Sequence, residues 1–167
     1  MFRKMRRYTQ EIPQNEILEI LEKATSGTLA VLGDNGYPYA VPLSYVYANE
    51  KLYFHCAKDG HKIDAIRNCD KASFCVIYED NIVPEEFTTY FKSVIAFGKI
   101  RILEDKTEIR AAIENLSDKY SNMGNELRNK EIESSLSSLC MLEFNIEHIT
   151  GKEAKELKAA RKQKAGQ

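Results

Sequence analysis

Gly36-Tyr37-Pro38-Tyr39-Ala40-Val41-Pro42-Leu43-Ser44-Tyr45-Val46-Tyr47 follows the short apolar run Thr28-Leu29-Ala30-Val31-Leu32 and the segment Gly33-Asp34-Asn35-Gly36. Asn-Gly tolerates the positive φ angles of a tight hairpin turn, so the stretch reads as the returning strand of a β-hairpin. Side chains alternate faces along a strand. Tyr37, Tyr39, Val41, Leu43, Tyr45 and Tyr47 therefore share one face, and Pro38, Ala40, Pro42, Ser44 and Val46 the other. One face is bulky and the opposite one small. Pro42 also withdraws a ladder donor, which marks an edge, a bulge or a bend. Two readings fit: a kinked strand covered by other protein, or a shelf on which a flat ligand lies against Ala40, Pro42 and Ser44.

Ala48-Asn49-Glu50 turns the chain into a second apolar strand, Leu52 to Cys56, and then into His55-Cys56-Ala57-Lys58-Asp59-Gly60-His61-Lys62. The helical pattern Ile63 to Asn68 follows. This reads as strand, Asp-Gly turn, helix. A helix N-terminus carries partial positive charge and unpaired N–H groups, so acidic residues usually fill its first turn. Here His61 and Lys62 stand there instead. Gly60 leaves room for an anion to approach the backbone, and phosphate is the natural candidate. The alternative is a solvated lysine in an ordinary turn.

Working outward, Pro13 to Thr25 reads as a helix with Ile17, Leu18, Leu21 and Ala24 on one face, ended by Gly27. Ala72 to Tyr78 is a strand, and Glu79 to Thr89 a polar loop long enough for a lid or an interface arm. A long strand from Tyr90 to Leu103 carries Gly98 at its middle, where a curling sheet would bend. Asp105 to Tyr120 is a helix with a capping-box-like Asp105/Glu108 pair. After a loop from Ser121 to Glu126 come a weaker helix, Leu127 to Leu136, and a last strand, Leu139 to Ile149. The charged helix Gly151 to Lys164 packs, if at all, through Ala154, Leu157 and Ala160. About six strands with hairpin connections and no βαβ alternation predict a mainly β protein. The expected form is a six-stranded antiparallel barrel of Greek-key type with flanking helices.

At 167 residues the chain is one domain with a real core, flanked by a basic arm over residues 1–12 and the charged segment 151–167. A net charge of −1 gives no general electrostatic case for nucleic acid or a membrane surface. No signal peptide or transmembrane run is readable, which points to the cytoplasm. Cys56, Cys69, Cys75 and Cys140 form no Cys-x-x-Cys pair, and with His55, His61 and His148 they show no zinc-type spacing. Buried free thiols and no metal site are the expectation.

The order of parts, with Gly36 to Tyr47, then Leu52-Tyr53-Phe54-His55-Cys56-Ala57, then Gly60-His61-Lys62-Ile63-Asp64, resembles the FMN-binding split-barrel superfamily of pyridoxamine 5′-phosphate oxidase-like flavoproteins. Within it the chain looks most like the branch of the 5-nitroimidazole-resistance proteins. The resemblance implies a homodimer with FMN in the groove between subunits. Val41, Pro42, Leu43, Ser44 and Tyr45 would run along the flavin. Lys62 would hold the phosphate, helped by Gly60 and His61. His55 stands where this branch has a histidine beside the flavin, and is the candidate catalytic residue or a structural one. The arginine- and lysine-bearing strand motif and the C-terminal arginine motif of true pyridoxamine phosphate oxidases are missing, so vitamin B6 oxidation is not implied.

The activity implied is nitroreductase-like or flavin reductase-like, with electrons passing from FMN to a small planar acceptor. Imidazole changes charge near neutral pH, which suits His55 for proton donation. No Gly-x-Gly-x-x-Gly motif is present, so an NAD(P)H donor would bind only transiently over the flavin. A non-enzymatic FMN electron carrier and a haem-binding split barrel using His55, His61 or His148 are the competing readings.

Overall fold

The computed structural model describes residues 1–121, 124–136 and 138–165. Residues 122 and 123 of the loop expected over Ser121 to Glu126, and residues 166 and 167, lie outside the described residues. The chain makes strands β1 (Ser26–Leu32), β2 (Pro38–Ser44), β3 (Val46–Ala48), β4 (Lys51–Ala57), β5 (Lys71–Val83), β6 (Thr88–Ile102) and β7 (Leu139–Glu153). Helices α1 (Gln14–Lys23), α2 (His61–Asn68), α3 (Lys106–Tyr120), α4 (Asn125–Ser135) and α5 (Lys155–Ala165) surround them. The strands form one antiparallel sheet in the order β2-β1-β5-β6-β7-β4-β3.

The expected barrel is confirmed in class and corrected in detail. The returning strand Tyr37 to Tyr47 is two strands, and they occupy opposite edges of the sheet. Tyr45 is the single residue between them. The chain therefore bridges the two edges covalently where no hydrogen-bond ladder joins them, and the barrel is split along that seam. This makes seven strands among the described residues, where six were expected.

The hairpin turn is as the sequence predicts. Asn35 and Gly36 take φ of 55° and 78°, and Tyr37 N donates to Asp34 O at 3.1 Å. The segment Glu79 to Thr89 is not a free loop. β5 continues through it to Val83 and β6 starts at Thr88, so the two strands form a projecting arm with Phe87 at its tip. Gly27 does not end α1 but lies inside β1, where a Cβ would come within 2.5 Å of the Phe74 ring. At Gly98 the β6–β7 register shifts, and a Cβ would stand 2.0 Å from Asn145 O. Backbone approaches side-chain distance there, which only glycine allows.

Two cores result. Inside the barrel Leu29, Phe54, Phe74, Ile100 and Phe144 are closed off together, backed by Ile17 and Leu21 of α1 and Ile63 of α2. Tyr45 joins them, its ring edge-on to Phe74 with centroids 4.9 Å apart. Each such ring contributes about 1.5–3 kcal/mol through burial. On the outer face of β4 and β7, Tyr53 and Met141 pack beneath Ala112, Ile113 and Leu116 of α3 and Ile132 of α4. Asp105 caps α3 by accepting from Thr107 N at 2.8 Å and Glu108 N at 3.0 Å. The reciprocal half of the expected capping box is missing because Glu108 turns to fork with Arg101. α5 is anchored rather than free: Arg161 pairs with the fully buried Glu153 and with Glu16, and Ala154 is buried beneath it.

Candidate functional site

β2 joins the two places at which the sequence suspects a ligand. At its start the Tyr39 ring packs at a tilt of 33° against His61, with ring centroids 4.2 Å apart. The same imidazole accepts from Asp34 N at 3.3 Å through Nε2, with the Asp34 carboxylate 3.6 Å away. The first turn of α2 is thus docked on the β1–β2 turn. At the far end of β2, Ser44 faces His55 of β4 across the seam, and both line one cavity. Five residues of extended chain, roughly 17 Å, separate Tyr39 from Ser44. Along that length Pro38, Ala40, Pro42 and Ser44 are exposed while Tyr39, Val41 and Leu43 turn half-buried toward the core. The small side of the strand is an open shelf.

At the α2 end, Gly60 is the N-cap with φ of 104°, and a Cβ placed there would meet nothing within 4 Å. No side chain caps the helix. Ile63 N and Asp64 N turn back to Gly60 O at 2.9 and 3.2 Å, leaving the earlier N–H groups of the turn without helical acceptors. Lys62 is half-buried and forms no ion pair among the described residues, while Asp64 pairs with Arg67 at 3.4 Å. Burial pushes the thiol of Cys56 up to about 11 even though the Lys62 charge opposes the rise. Positive charge, free N–H groups and open space therefore coincide at Gly60-His61-Lys62. That combination fits a phosphate.

At the seam the arrangement is different. Tyr45 is fully buried, and both of its backbone groups are taken by the Tyr120 hydroxyl: Tyr45 N donates to it at 3.0 Å, and it lies 2.8 Å from Tyr45 O. Thr25 O competes for the same hydroxyl proton. Lys119 sits over the Tyr45 ring at 4.2 Å and donates to Ala24 O at 2.6 Å, closing the end of α1. Pro42 and Ser44 thus lie on the shelf, whereas Val41 and Leu43 turn toward the core and Tyr45 is buried in it. His55 pairs with Met141 across the β4–β7 ladder and is exposed on the α3 side of the sheet.

The cavity at the seam has a volume of about 410 Å³ and is walled by Ile113 and Leu116 of α3, Ile132 of α4 and Leu139 of β7. Arg128 and Glu131 of α4 complete it. Neither Tyr120 nor Arg128 was singled out in the sequence. Tyr120 is the last residue of an ordinary helical pattern, and Arg128 lies in a weakly patterned helix with many charges. Only their tertiary placement gives them a role.

A family model described as pyridoxamine 5′-phosphate oxidase matches residues 13–153. The chain belongs to the pyridoxamine 5′-phosphate oxidase family. Among solved structures, this family member is similar to a candidate 5-nitroimidazole antibiotic resistance protein from Bacteroides thetaiotaomicron, at 20% identity and a TM-score of 0.74 over 86% of each chain. It is similar to a FAD-binding protein from Mesorhizobium loti at 23% identity and a TM-score of 0.62, over 87% of this chain and 96% of that one. A FAD and haem binding protein from Mycobacterium smegmatis matches at 18% identity and a TM-score of 0.73, over 87% and 74%. A search among curated proteins finds no match. No described helix of this oxidase-family chain is long and apolar enough to cross a membrane.

Proposed function

We propose that the protein is an FMN-binding flavoprotein that passes electrons from the reduced flavin to a small planar acceptor. The observation that carries this is Lys62, a half-buried lysine without an ion-pair partner among the described residues, beside the open N-terminus of α2. Family membership and the flavin named for two structural neighbours support it. Bound flavin would supply reversible two-electron chemistry at the ring.

The chain's own residues divide the work. Lys62 neutralises phosphate charge, and the N–H groups after Gly60 receive its oxygens, a charge-assisted set stronger than neutral hydrogen bonds. Pro42 and Ser44 present a flat, small surface along which a ring can lie. His55, exposed beside Ser44 at the cavity, carries a proton on its imidazole to an acceptor held there. The walls of Ile113, Leu116 and Ile132 exclude water from that transfer. The strand motif and the C-terminal arginine motif of true pyridoxamine phosphate oxidases are missing, so vitamin B6 oxidation is not part of this reading.

A second copy of the chain completes the reading. Ile77, Ile82 and Phe87 on the β5–β6 arm are strongly exposed, Phe87 at 98%, and Leu32 and Tyr37 extend the apolar surface at the β1–β2 hairpin. Exposed apolar groups of this size mark an association surface. The absorption spectrum of the purified protein tests the proposal. Flavin bands support it, a Soret band would transfer the site to haem, and a colourless protein that takes up no FMN would refute it.

A further inference from the structure

Cys56 and Cys140 stand directly opposite one another in the antiparallel β4–β7 ladder, and both are free thiols. Opposed residues of such a ladder point to the same face of the sheet, with Cα atoms roughly 4.5 or 5.5 Å apart according to the kind of pair. Both separations fall within the roughly 4.4–6.8 Å that a disulfide spans. The shared face here is the inner one: Cys140 belongs to the barrel core and Cys56 packs against it. The two thiols also interact with each other. The other cysteines are placed elsewhere, Cys69 at the end of α2 and Cys75 between Thr28 and Ile95 in the ladders of β5.

The two sulfurs differ in access. Cys140 is only 8% exposed, whereas Cys56 is half-buried, so a small reagent reaches Cys56 first. Burial pushes both thiols up, Cys56 to about 11, which makes each a slow nucleophile at neutral pH. Positive charge offsets part of this: Lys62 acts on both sulfurs, and Arg67 and Lys58 on Cys140. Slow formation does not oppose the bond itself. A thiolate of high pKa is also a poor leaving group, so a disulfide between two such thiols resists cleavage by small thiols once made. The pair has the properties of a latch, slow to close and slow to open.

We propose that Cys56 and Cys140 are an oxidisable pair that small peroxides convert to a disulfide across the β4–β7 ladder. The Cys56 thiolate attacks a peroxide oxygen, the O–O bond breaks, and the sulfur becomes a sulfenic acid while the departing hydroxide takes up a proton to give water. The Cys140 thiolate then attacks that sulfur, and the S–O bond breaks with loss of a second water. Two thiols and one hydrogen peroxide thus give one disulfide and two waters. Cβ atoms of opposed residues lie roughly 4.5–5.5 Å apart and those of a disulfide roughly 3.5–4.5 Å, so closure draws the end of β4 toward β7. β4 leads at once into Lys58-Asp59-Gly60 and the first turn of α2, so the pull is felt where His61 and Lys62 stand. That peroxide arises on the spot rests on the flavin reading above, since a reduced flavin that meets dioxygen releases it. That the pair closes does not.

The test uses flavin-free protein, so that a failure of flavin binding and a failure of this site are separate results. The chain is treated with hydrogen peroxide at pH 8, the remaining thiols are blocked, and the peptides are mapped by mass spectrometry. A single chain lighter by two hydrogens is expected, with one linked peptide joining Cys56 to Cys140 and full reversal by dithiothreitol. Cys56→Ser and Cys140→Ser should each abolish that link, and Cys75→Ser should leave it intact. Lys62→Ala removes a charge that favours both thiolates and should slow the link at least twofold. Cys56 driven to sulfinic acid with Cys140 unmodified, links between two chains, or pairing through Cys69 or Cys75 in the wild-type protein would each overturn the proposal. An unchanged rate in Lys62→Ala would overturn the part assigned to that lysine.

Discussion

The hydroxyl of Tyr120 stands in for a missing strand neighbour at Tyr45, taking the Tyr45 N–H at 3.0 Å and lying 2.8 Å from its carbonyl oxygen. At that residue the chain leaves one edge of the sheet and joins the other. Buried backbone polar groups must be paired, and no strand is present to pair these two. Replacing Tyr120 by Phe should therefore destabilise the fold by about 1–3 kcal/mol, the cost of unpaired buried groups, with only a small change in packing. For a chain of this size that corresponds to a melting-temperature fall of roughly 2–10 °C. Calorimetric melting of the two proteins checks it.

Gly98→Ala should be far more damaging than its one added methyl group implies. The new Cβ would press on Asn145 O at 2.0 Å, and that oxygen belongs to the backbone of β7, which cannot yield locally. We expect a loss of more than about 3 kcal/mol, read as insolubility or as a large fall in the urea midpoint. Gly60→Ala meets open space, so its cost should be backbone strain alone, about 1–3 kcal/mol, because φ of 104° with ψ of 170° is essentially a glycine conformation.

Acid should weaken the fold partly through Glu143. Burial pushes its carboxyl up, but the hydrogen bonds and charges of Arg101 at 2.8 Å and Lys51 at 3.0 Å outweigh this and hold it below its ordinary value. A carboxyl whose folded pKa is depressed binds fewer protons folded than unfolded. Its stabilisation is present above the unfolded value of 4.5 and is lost as pH falls through the lower folded value. The urea midpoint should thus drop steeply below pH 4.5 in the wild-type protein and less steeply in Glu143→Gln. At pH 7 that variant should be the less stable by about 1–2 kcal/mol, discounted because Arg101 and Lys51 are partly solvated.

Much of this was legible in the sequence, and the reasons are local. Asn35-Gly36 announces its own turn because few other residues accept two positive φ angles in succession. The alternation through Tyr39, Val41 and Leu43 separates a bulky face from a small one, and the structure turns the bulky face toward the core. Lys62 was suspected because its charge is wrong for a helix N-terminus, and the structure leaves it without an ion-pair partner among the described residues.

What escaped was non-local. Nothing in Tyr45 and its neighbours says that the alternating pattern crosses from one sheet edge to the other, since parity survives the break. The polar composition of Glu79 to Thr89 reads as loop because an arm that projects from the sheet has no core to pattern it. Tyr120 and Arg128 depend on partners 75 and 10 residues away.

The phosphate role of Lys62 also has a readout without flavin. Lys62→Ala removes the cation that pulls the Cys56 thiol down, leaving burial to push it higher. Alkylation of Cys56 at pH 8, already slow for a half-buried thiol of raised pKa, should become slower still in the variant, as peptide mapping would show. A faster reaction would mean that Lys62 shields Cys56 rather than activating it.

The central claim is that Gly60-His61-Lys62 holds the phosphate of a flavin lying along β2. The most direct measurement is titration of flavin-free protein with FMN and, in parallel, with riboflavin, which lacks the phosphate. The account predicts saturable FMN binding at one flavin per chain, riboflavin binding at least tenfold weaker, and loss of that difference in Lys62→Ala. Equal affinity for FMN and riboflavin in the wild-type protein, or a full FMN preference surviving in Lys62→Ala, would contradict it.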